Sequence, residues 1–312
     1  MPKTTTRKKT TKKRSISQRL VQSFFRPVPL CVVAVVATLW LCWPRFQQTL
    51  PELEVRPEYA VGVAQISITP PPRWVPEDVV DRVFRRAEFG DSLSLQDPRL
   101  SEKIALAFHT YPWIERLVKV SKSYPARVTV EVVYREPVAM VKLVSGGYLP
   151  VDRHGVLLPT SDFNRADIDR HPHIVNVTSP PIRRGEAWGD PAVAGAAELA
   201  DVLTRSEGEQ ASWWKALGLK SIIAPSGVGI DAADLQYRLE TSGGSQIVWG
   251  RAPSTDYPAE LQVAQKLERM AEYHRSYNGF DDAPAPFLID VRGWQGTTRS
   301  LLAEEAGTTF RQ

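Results

Sequence analysis

The first 43 residues constrain this chain most, because a basic tail is followed directly by a long apolar run. Residues 1–26 carry nine Lys and Arg side chains, and the first acidic residue is Glu52. The apolar run extends from Pro29 to Trp43. Lys and Arg resist translocation and hold their flank of a membrane segment in the cytoplasm. The pattern therefore predicts a basic cytoplasmic tail over 1–26 and a single transmembrane helix over 27–45, with the rest of the chain on the far side.

Two other interpretations of this segment are weaker. A cleaved signal peptide has an apolar region of about 7–15 residues that ends at small residues, whereas Leu41–Phe46 is bulky. A nucleic-acid-binding arm would explain the basic tail, but membrane topology explains the same charges without another partner. Attraction to anionic lipid of the inner membrane follows from the same charges. We therefore expect a retained anchor, lipid contact and no nucleic acid.

Charge and cysteine content describe the rest of the chain. Of 39 basic residues nine lie in the tail, which leaves thirty against 35 acidic ones and a net charge of −5. Both cysteines, Cys31 and Cys42, lie inside the apolar run. The residues after the apolar run therefore contain no thiol, which excludes disulfides, a cysteine nucleophile and a Cys-ligated metal there. About 265 residues are enough for two ordinary domains.

Apolar periodicity divides these residues into two parts after a linker over 46–60. The first part, 61–136, predicts a strand at Val61–Ile68, two helices that begin near Pro76 and Asp97, and two strands led by valines. Pro and acidic residues favour helix starts, and alternation favours strands. This order predicts a compact α+β unit of three strands with two helices on one face.

The second part, 137–302, is rich in short strands and predicts a mixed β-sheet with flanking helices. A helix is expected to begin at Asp190, and a longer one to span Ala259–Tyr277. The last strands are predicted at Phe287–Val291 and Thr297–Leu302, before a C-terminal tail over 303–312. A short strand is also expected at Val228–Ile230.

Signatures of catalysis are scarce. The sequence has no Gly-x-Ser-x-Gly, no His-Glu-x-x-His and no phosphate loop. Ser242–Ser245 joins two predicted strands, so a hairpin turn is favoured over a phosphate cradle. His171 and His173 lack an evident third metal ligand. Asp152 and His154 lie in one turn, where Asp152 is expected to accept backbone N–H bonds rather than act in acid–base catalysis. We expect no enzymatic activity, cofactor, metal or small-molecule substrate.

Four short segments resemble a known family. They are Tyr134–Ala139 (Tyr-Arg-Glu-Pro-Val-Ala), Tyr148–Val156 with its Val-Asp-x-x-Gly-Val pattern, Ile247–Arg251 before a helix that carries Lys266, and Phe287–Arg292. Together with the order of the predicted parts, they resemble the bacterial cell-division protein family FtsQ/DivIB.

The resemblance implies a POTRA domain over 61–136 and a β domain over 137–302. It implies a non-enzymatic scaffold of the division machinery that links early and late division proteins and helps control septal peptidoglycan synthesis. Its partners would be FtsB/DivIC-like and FtsL-like coiled-coil division proteins and other divisome components. Its location would be the cytoplasmic membrane at the septum, with the N-terminus cytoplasmic and the bulk extracytoplasmic. Structural roles would fall to the motif residues Arg135, Glu136, Pro137, Asp152, Gly155, Gly250 and Asp290.

By the same resemblance, a partner strand would add to the edge of the last strand, close to the end of the long helix. The implied partner-binding residues are Tyr273, Arg292, Thr297, Thr298, Arg299 and Leu301. We hypothesise that Arg299 or Arg292 meets an acidic partner residue. A membrane-anchored POTRA-type chaperone in protein export, or an anchored envelope hydrolase, are the alternatives.

Overall fold

The computed structural model describes residues 27–49, 57–181, 183–206, 211–226, 231–284 and 286–302. The predicted basic tail over 1–26, much of the linker, the strand at Val228–Ile230 and the C-terminal tail over 303–312 lie outside these residues. The chain divides into two compact units, Met1–Pro57 and Glu58–Gln312.

The first unit contributes one described helix, α1 (Pro27–Thr49). No helix in the described ranges is both long and apolar enough to span a bilayer. The predicted transmembrane helix over 27–45 is therefore wrong. The apolar stretch Leu30–Trp43 rises about 21 Å at about 1.5 Å per residue, against a hydrocarbon core of about 30 Å. Pro44 and Arg45 follow it directly.

The second unit is α+β with two principal sheets. In chain order its elements are β1 (Ala60–Val61), β2 (Ile66–Ile68), α2 (Val79–Arg86), β3 (Leu93–Ser94), α3 (Leu100–His109), β4 (Ile114–Ser123), β5 (Arg127–Tyr134), β6 (Pro137–Leu143), β7 (Tyr148–Asp152), α4 (Arg165–Arg170), β8 (His173–Val177), α5 (Pro191–Thr204), α6 (Trp213–Ala216), β9 (Leu219–Ile223), β10 (Tyr237–Thr241), β11 (Gln246–Gly250), α7 (Val263–Ser276), β12 (Phe287–Asp290) and β13 (Thr298–Leu301).

A three-stranded sheet in the order β2-β5-β4 forms the centre of the first part, and β1 pairs with β3 in a separate two-stranded sheet. Helices α2 and α3 contribute Val83, Ile104 and Phe108 to a buried core that also contains the inward valines of β5. The expected strand Val61–Ile68 is interrupted, because the Gly62 N–H donates to the Gln65 side chain (3.0 Å) and the chain makes a short 3₁₀ turn.

An eight-stranded mixed sheet follows, in the order β13-β12-β11-β10-β9-β8-β6-β7. Its inward row includes Val141, Ile174, Ile222, Leu239 and Ile247, all fully buried. Alternation of apolar and polar residues buries one face of a strand, and here that face packs against α5 and α7 in a single large core. The sheet therefore ends in two outer strands, and β13 is one of them.

The two cores of the second unit are joined at the side chain of Asp162. Its Oδ1 accepts from Arg82 Nη1 (2.8 Å) and its Oδ2 from Trp113 Nε1 (2.9 Å). Trp113 is fully buried in the first core and also stacks on Phe163. The loop after β7 thus provides a buried acceptor for both donors of the preceding part.

The long helix begins later than predicted. The sequence suggests Ala259–Tyr277, whereas α7 spans Val263–Ser276. Glu260 lies in a loop, where its Oε1 accepts the Arg251 N–H (2.9 Å), and the Gln265 side chain accepts the Gln262 N–H (3.1 Å) at the helix start. These bonds hold the chain outside a helical path until Val263.

Candidate partner-binding edge

The outer strand β13 pairs with β12 in an antiparallel register, with Ile289 opposite Arg299 and Asp290 opposite Thr298. In the described ranges no strand pairs with its other side. The Leu302 N–H donates to the Pro286 carbonyl (3.0 Å). Because hydrogen-bonding direction alternates along a strand, the backbone groups of Arg299 and Leu301 point to the unpaired side. An extended segment from a partner can bond to these groups.

Arg299 lies on the face of the sheet that α7 covers, since it is opposite Ile289. Its Cζ lies 4.8 Å from the ring centre of Tyr277 and 4.4 Å from that of Phe287. Its Nη1 is 3.5 Å from the Tyr273 hydroxyl and 3.6 Å from Asp282 Oδ1. Both polar contacts are long and the side chain is 34% exposed. The cation is therefore held over aromatic rings but keeps capacity for a stronger anionic partner.

The end of α7 supplies the aromatic part of this site. Tyr273 is buried and stacks on Phe280 with ring centres 5.5 Å apart, and Tyr277 lies beside it at 4.5 Å. Burial raises the pKa of Tyr273, partly offset by Arg299, so its phenol stays neutral. Tyr277 is 46% exposed. Buried aromatic rings therefore lie beneath the site, and the exposed ring of Tyr277 lies at its margin.

Arg292 occupies a different environment. Its guanidinium donates to both oxygens of Asp290 (Nε to Oδ1, 3.0 Å; Nη2 to Oδ2, 2.6 Å) and to the Gln236 side chain (2.5 Å). Burial alone would raise the pKa of Asp290, but the bonds to Arg292 outweigh it and lower that pKa. The two predicted arginines thus differ in their contacts. Arg299 is loosely held beside the unpaired edge, whereas Arg292 is tightly bound by Asp290.

The other predicted partner-binding residues lie along the same edge. Thr298 is exposed at the start of β13, and Thr297 is half-buried just before it. Leu301 is half-buried and packs on the large core. The structure therefore brings Tyr273, Thr297, Thr298, Arg299 and Leu301 to one edge.

The motif residues at the junction of the two parts form a buried ion pair. Arg135 Nη1 lies 2.6 Å from Asp152 Oδ2, and Asp152 is 1% exposed. The other oxygen, Oδ1, accepts the N–H groups of His154 (2.9 Å) and Val156 (2.8 Å). This confirms the expectation that Asp152 orders its own turn. Arg135 follows β5 directly, so the pair joins the end of β5 to the end of β7.

The neighbouring motif residues have simpler places. Glu136 is exposed and has no ion-pair partner among the described residues, and Pro137 begins β6 opposite Asp152. Gly155 has φ +69°, and a Cβ there would lie 3.1 Å from the Ala194 backbone. Glycine is required at this turn for both reasons.

The motif glycine Gly250 has φ +94° and packs directly against the carboxylate of Glu260. That carboxylate bonds Lys266 Nζ, the Arg251 N–H (2.9 Å) and Arg251 Nη1 (3.1 Å). Lys266 also lies 4.8 Å from the ring centre of Trp249. The glycine and the lysine of the family-like pattern therefore belong to one buried charge network centred on Glu260.

Comparison with protein-family models returned no match, and neither did comparison with curated proteins.

Metal-binding geometry is absent from the described ranges, where no group of three or more His, Cys, Asp or Glu residues converges. His171 Nδ1 lies 2.6 Å from the Asp167 carbonyl, and His173 Nε2 lies 3.1 Å from the Ile168 carbonyl. Both imidazoles contact backbone of α4.

Three contributors to the edge and its support were missed by sequence reasoning. Each lies in a loop or beyond a helix end, where apolar periodicity carries no signal; they are Glu260, Phe280 and Asp282. Adjacent aromatic and acidic residues at 280–282 were the one available signal.

Proposed function

We propose that this chain is a non-enzymatic scaffold of the bacterial division machinery that binds partner proteins through the unpaired edge of β13. The observation that carries the proposal is this edge, with outward backbone groups at Arg299 and Leu301 and a loosely paired guanidinium beside them. β-Strand addition draws affinity from backbone bonds and takes specificity from side chains. The four family-like segments support the choice of partner class.

The partners proposed are FtsB/DivIC-like and FtsL-like coiled-coil division proteins. Arg299 selects an acidic residue on the incoming strand, because a charge-assisted bond to a carboxylate is stronger than its present long contacts. The proposal places the protein at the cytoplasmic membrane of the septum, where the nine cations of the basic tail favour anionic lipid. There it contributes to control of septal peptidoglycan synthesis through protein contacts.

A substitution pair at Leu301 tests strand addition. Leu301→Ala removes the side chain, whereas Leu301→Pro also removes an outward N–H without breaking a bond to β12. Binding is measured by calorimetry between the full-length chain and the FtsB/DivIC-like protein of the same organism. We expect Leu301→Pro to bind about five- to thirtyfold more weakly than Leu301→Ala, since a lost hydrogen bond and disrupted pairing cost about 1–2 kcal/mol.

Charge reversal tests the acidic contact. Arg299→Glu is expected to weaken the same binding by about tenfold or more, because it places like charges together. Arg238→Glu, at an exposed arginine on β10, is the matched control and should leave binding unchanged. Unchanged binding for both Arg299→Glu and Leu301→Pro would refute the edge as the binding site. A fluorescent fusion that does not concentrate at mid-cell would refute the divisome role.

A further inference from the structure

The loop between β12 and β13 presents an exposed tryptophan. Trp294 is 60% exposed, whereas the other six tryptophans described within 58–302 are buried or half-buried. An indole in water forgoes the burial that makes tryptophan stabilising, and tryptophan is enriched at the energetic centres of protein interfaces. A single exposed apolar side chain is common on protein surfaces, so the inference depends on how this loop is held and where it leads.

Arg269 of α7 fixes the backbone on both sides of this indole. Its Nη1 donates to the carbonyl of Gly293, and it lies 3.4 Å from the carbonyl of Gly296. The Leu261 N–H also donates to the carbonyl of Arg292 (3.3 Å). The loop is thus tied at 292, 293 and 296, and the side chain of Trp294 projects from a held backbone.

We propose that Trp294 is a second anchor for the partner that pairs with β13, and that Arg269 is the positioning residue that holds it. The inference rests on the proposed function. Because the loop runs directly into β13, a segment laid along that edge continues past Trp294. The partner segment would then carry an acidic residue toward Arg299 and, beyond the paired stretch, an aliphatic or aromatic side chain against the indole.

The test is a double-mutant cycle on the full-length chain, with the FtsB/DivIC-like protein of the same organism as the probe. Trp294→Ala should weaken binding at least about tenfold. Arg269→Ala should weaken it about three- to tenfold alone but less than about twofold in the Trp294→Ala background, because residues that act through one another are not additive. Arg269→Lys, which retains a donor for the carbonyls, should recover most of the loss. Val144→Ala, at an apolar side chain 80% exposed in the β6–β7 turn, is the control.

The outcomes separate this inference from the proposed function. If the unaltered protein does not bind the probe, the proposed function and this inference both fail. If it binds and Trp294→Ala binds equally well, the anchor alone is refuted. If Arg269→Ala weakens binding equally with and without Trp294, its effect does not pass through the indole and the positioning role is refuted. Acrylamide quenching gives a second readout, since Trp294 should become protected when the partner binds.

Discussion

Replacing Glu260 by glutamine should destabilise the second unit strongly. The carboxylate is 8% exposed and is shared by Lys266 and Arg251, whose side chains are 5% and 13% exposed. Arg251 keeps a second acid, Asp234, at 3.0 Å. Lys266 has no other carboxylate partner in the described ranges, so the glutamine variant leaves a buried ammonium without a counter-ion. Breaking a buried pair in this way costs about 3–5 kcal/mol.

The pKa shifts of Glu260 and Lys266 have opposite effects on stability at neutral pH. Burial would raise the pKa of Glu260, but Lys266 and Arg251 outweigh it and lower it below 4.5, which stabilises the fold at neutral pH. Burial lowers the pKa of Lys266 below 10.5, which opposes folding at neutral pH. These contributions have opposite sign. Removing both charges, in Glu260→Gln with Lys266→Met, should therefore restore stability to within about 1 kcal/mol of the unaltered protein.

The assay is denaturant unfolding with a thermal melt at pH 7 and at pH 4. A loss of about 3 kcal/mol lowers Tm by about 6–12 °C for a unit of this size. The difference between the unaltered protein and Glu260→Gln should shrink as pH falls through the lowered pKa of Glu260, because protonation removes the same charge. The reasoning would be refuted if the free energy of unfolding of Glu260→Gln lay within about 1 kcal/mol of that of the unaltered protein. It would also be refuted if the double variant were no more stable than Glu260→Gln.

Two further stability predictions concern carboxylates that accept several hydrogen bonds, that of the largely buried Asp162 side chain and that of the exposed residue Asp281. Asp162→Ala should lower the free energy of unfolding by about 2–4 kcal/mol, because it removes a charge-assisted bond to Arg82 and leaves the buried Trp113 N–H unpaired. The exposed Asp169→Ala is the control. A loss in denaturant unfolding below about 0.5 kcal/mol, no larger than that of the control, would contradict the prediction. Asp281→Asn should destabilise at neutral pH but progressively less as pH falls. Burial alone would raise the pKa of Asp281, but donors from the turn at 241–245 lower it below 3.8, so its contribution is present above that value and is lost on protonation. A pH-independent difference in denaturant unfolding between pH 3 and pH 7 would argue against this carboxylate as the cause.

Alternation and helical periodicity predicted the sheet strands well where one face is buried. The late strand at Phe287–Val291 and the last strand at Thr297–Leu302 are confirmed as β12 and β13, with slightly shorter bounds. The turn at 242–245 is confirmed as a hairpin between β10 and β11. These elements follow from local pattern because each buries a regular set of side chains.

The same sequence patterns did not indicate which side chains contact one another in the folded chain. Arg292 and Arg299 are both cations near the end of the chain, and only the structure shows that Asp290 engages one of them. Glu260 reads as an ordinary helix-start acid until its side chain is seen against Gly250. The apolar run made 27–45 a candidate membrane span, but no helix in the described ranges is long and apolar enough to cross a bilayer.

An unpaired strand edge can pair with other copies of the chain, and the features that limit such pairing here are also those on which the proposed partner selectivity depends. β13 has only four residues and carries a charged side chain on the face that α7 covers, and both properties discourage pairing with other copies of the chain. A neutral or basic strand would leave Arg299 with its present long contacts, whereas an acidic strand improves them. Under the proposed function, selectivity at this edge would come from the same arginine that restrains self-association. This is why a loosely paired cation, rather than a tightly bound one such as Arg292, is the side chain expected beside a regulated edge.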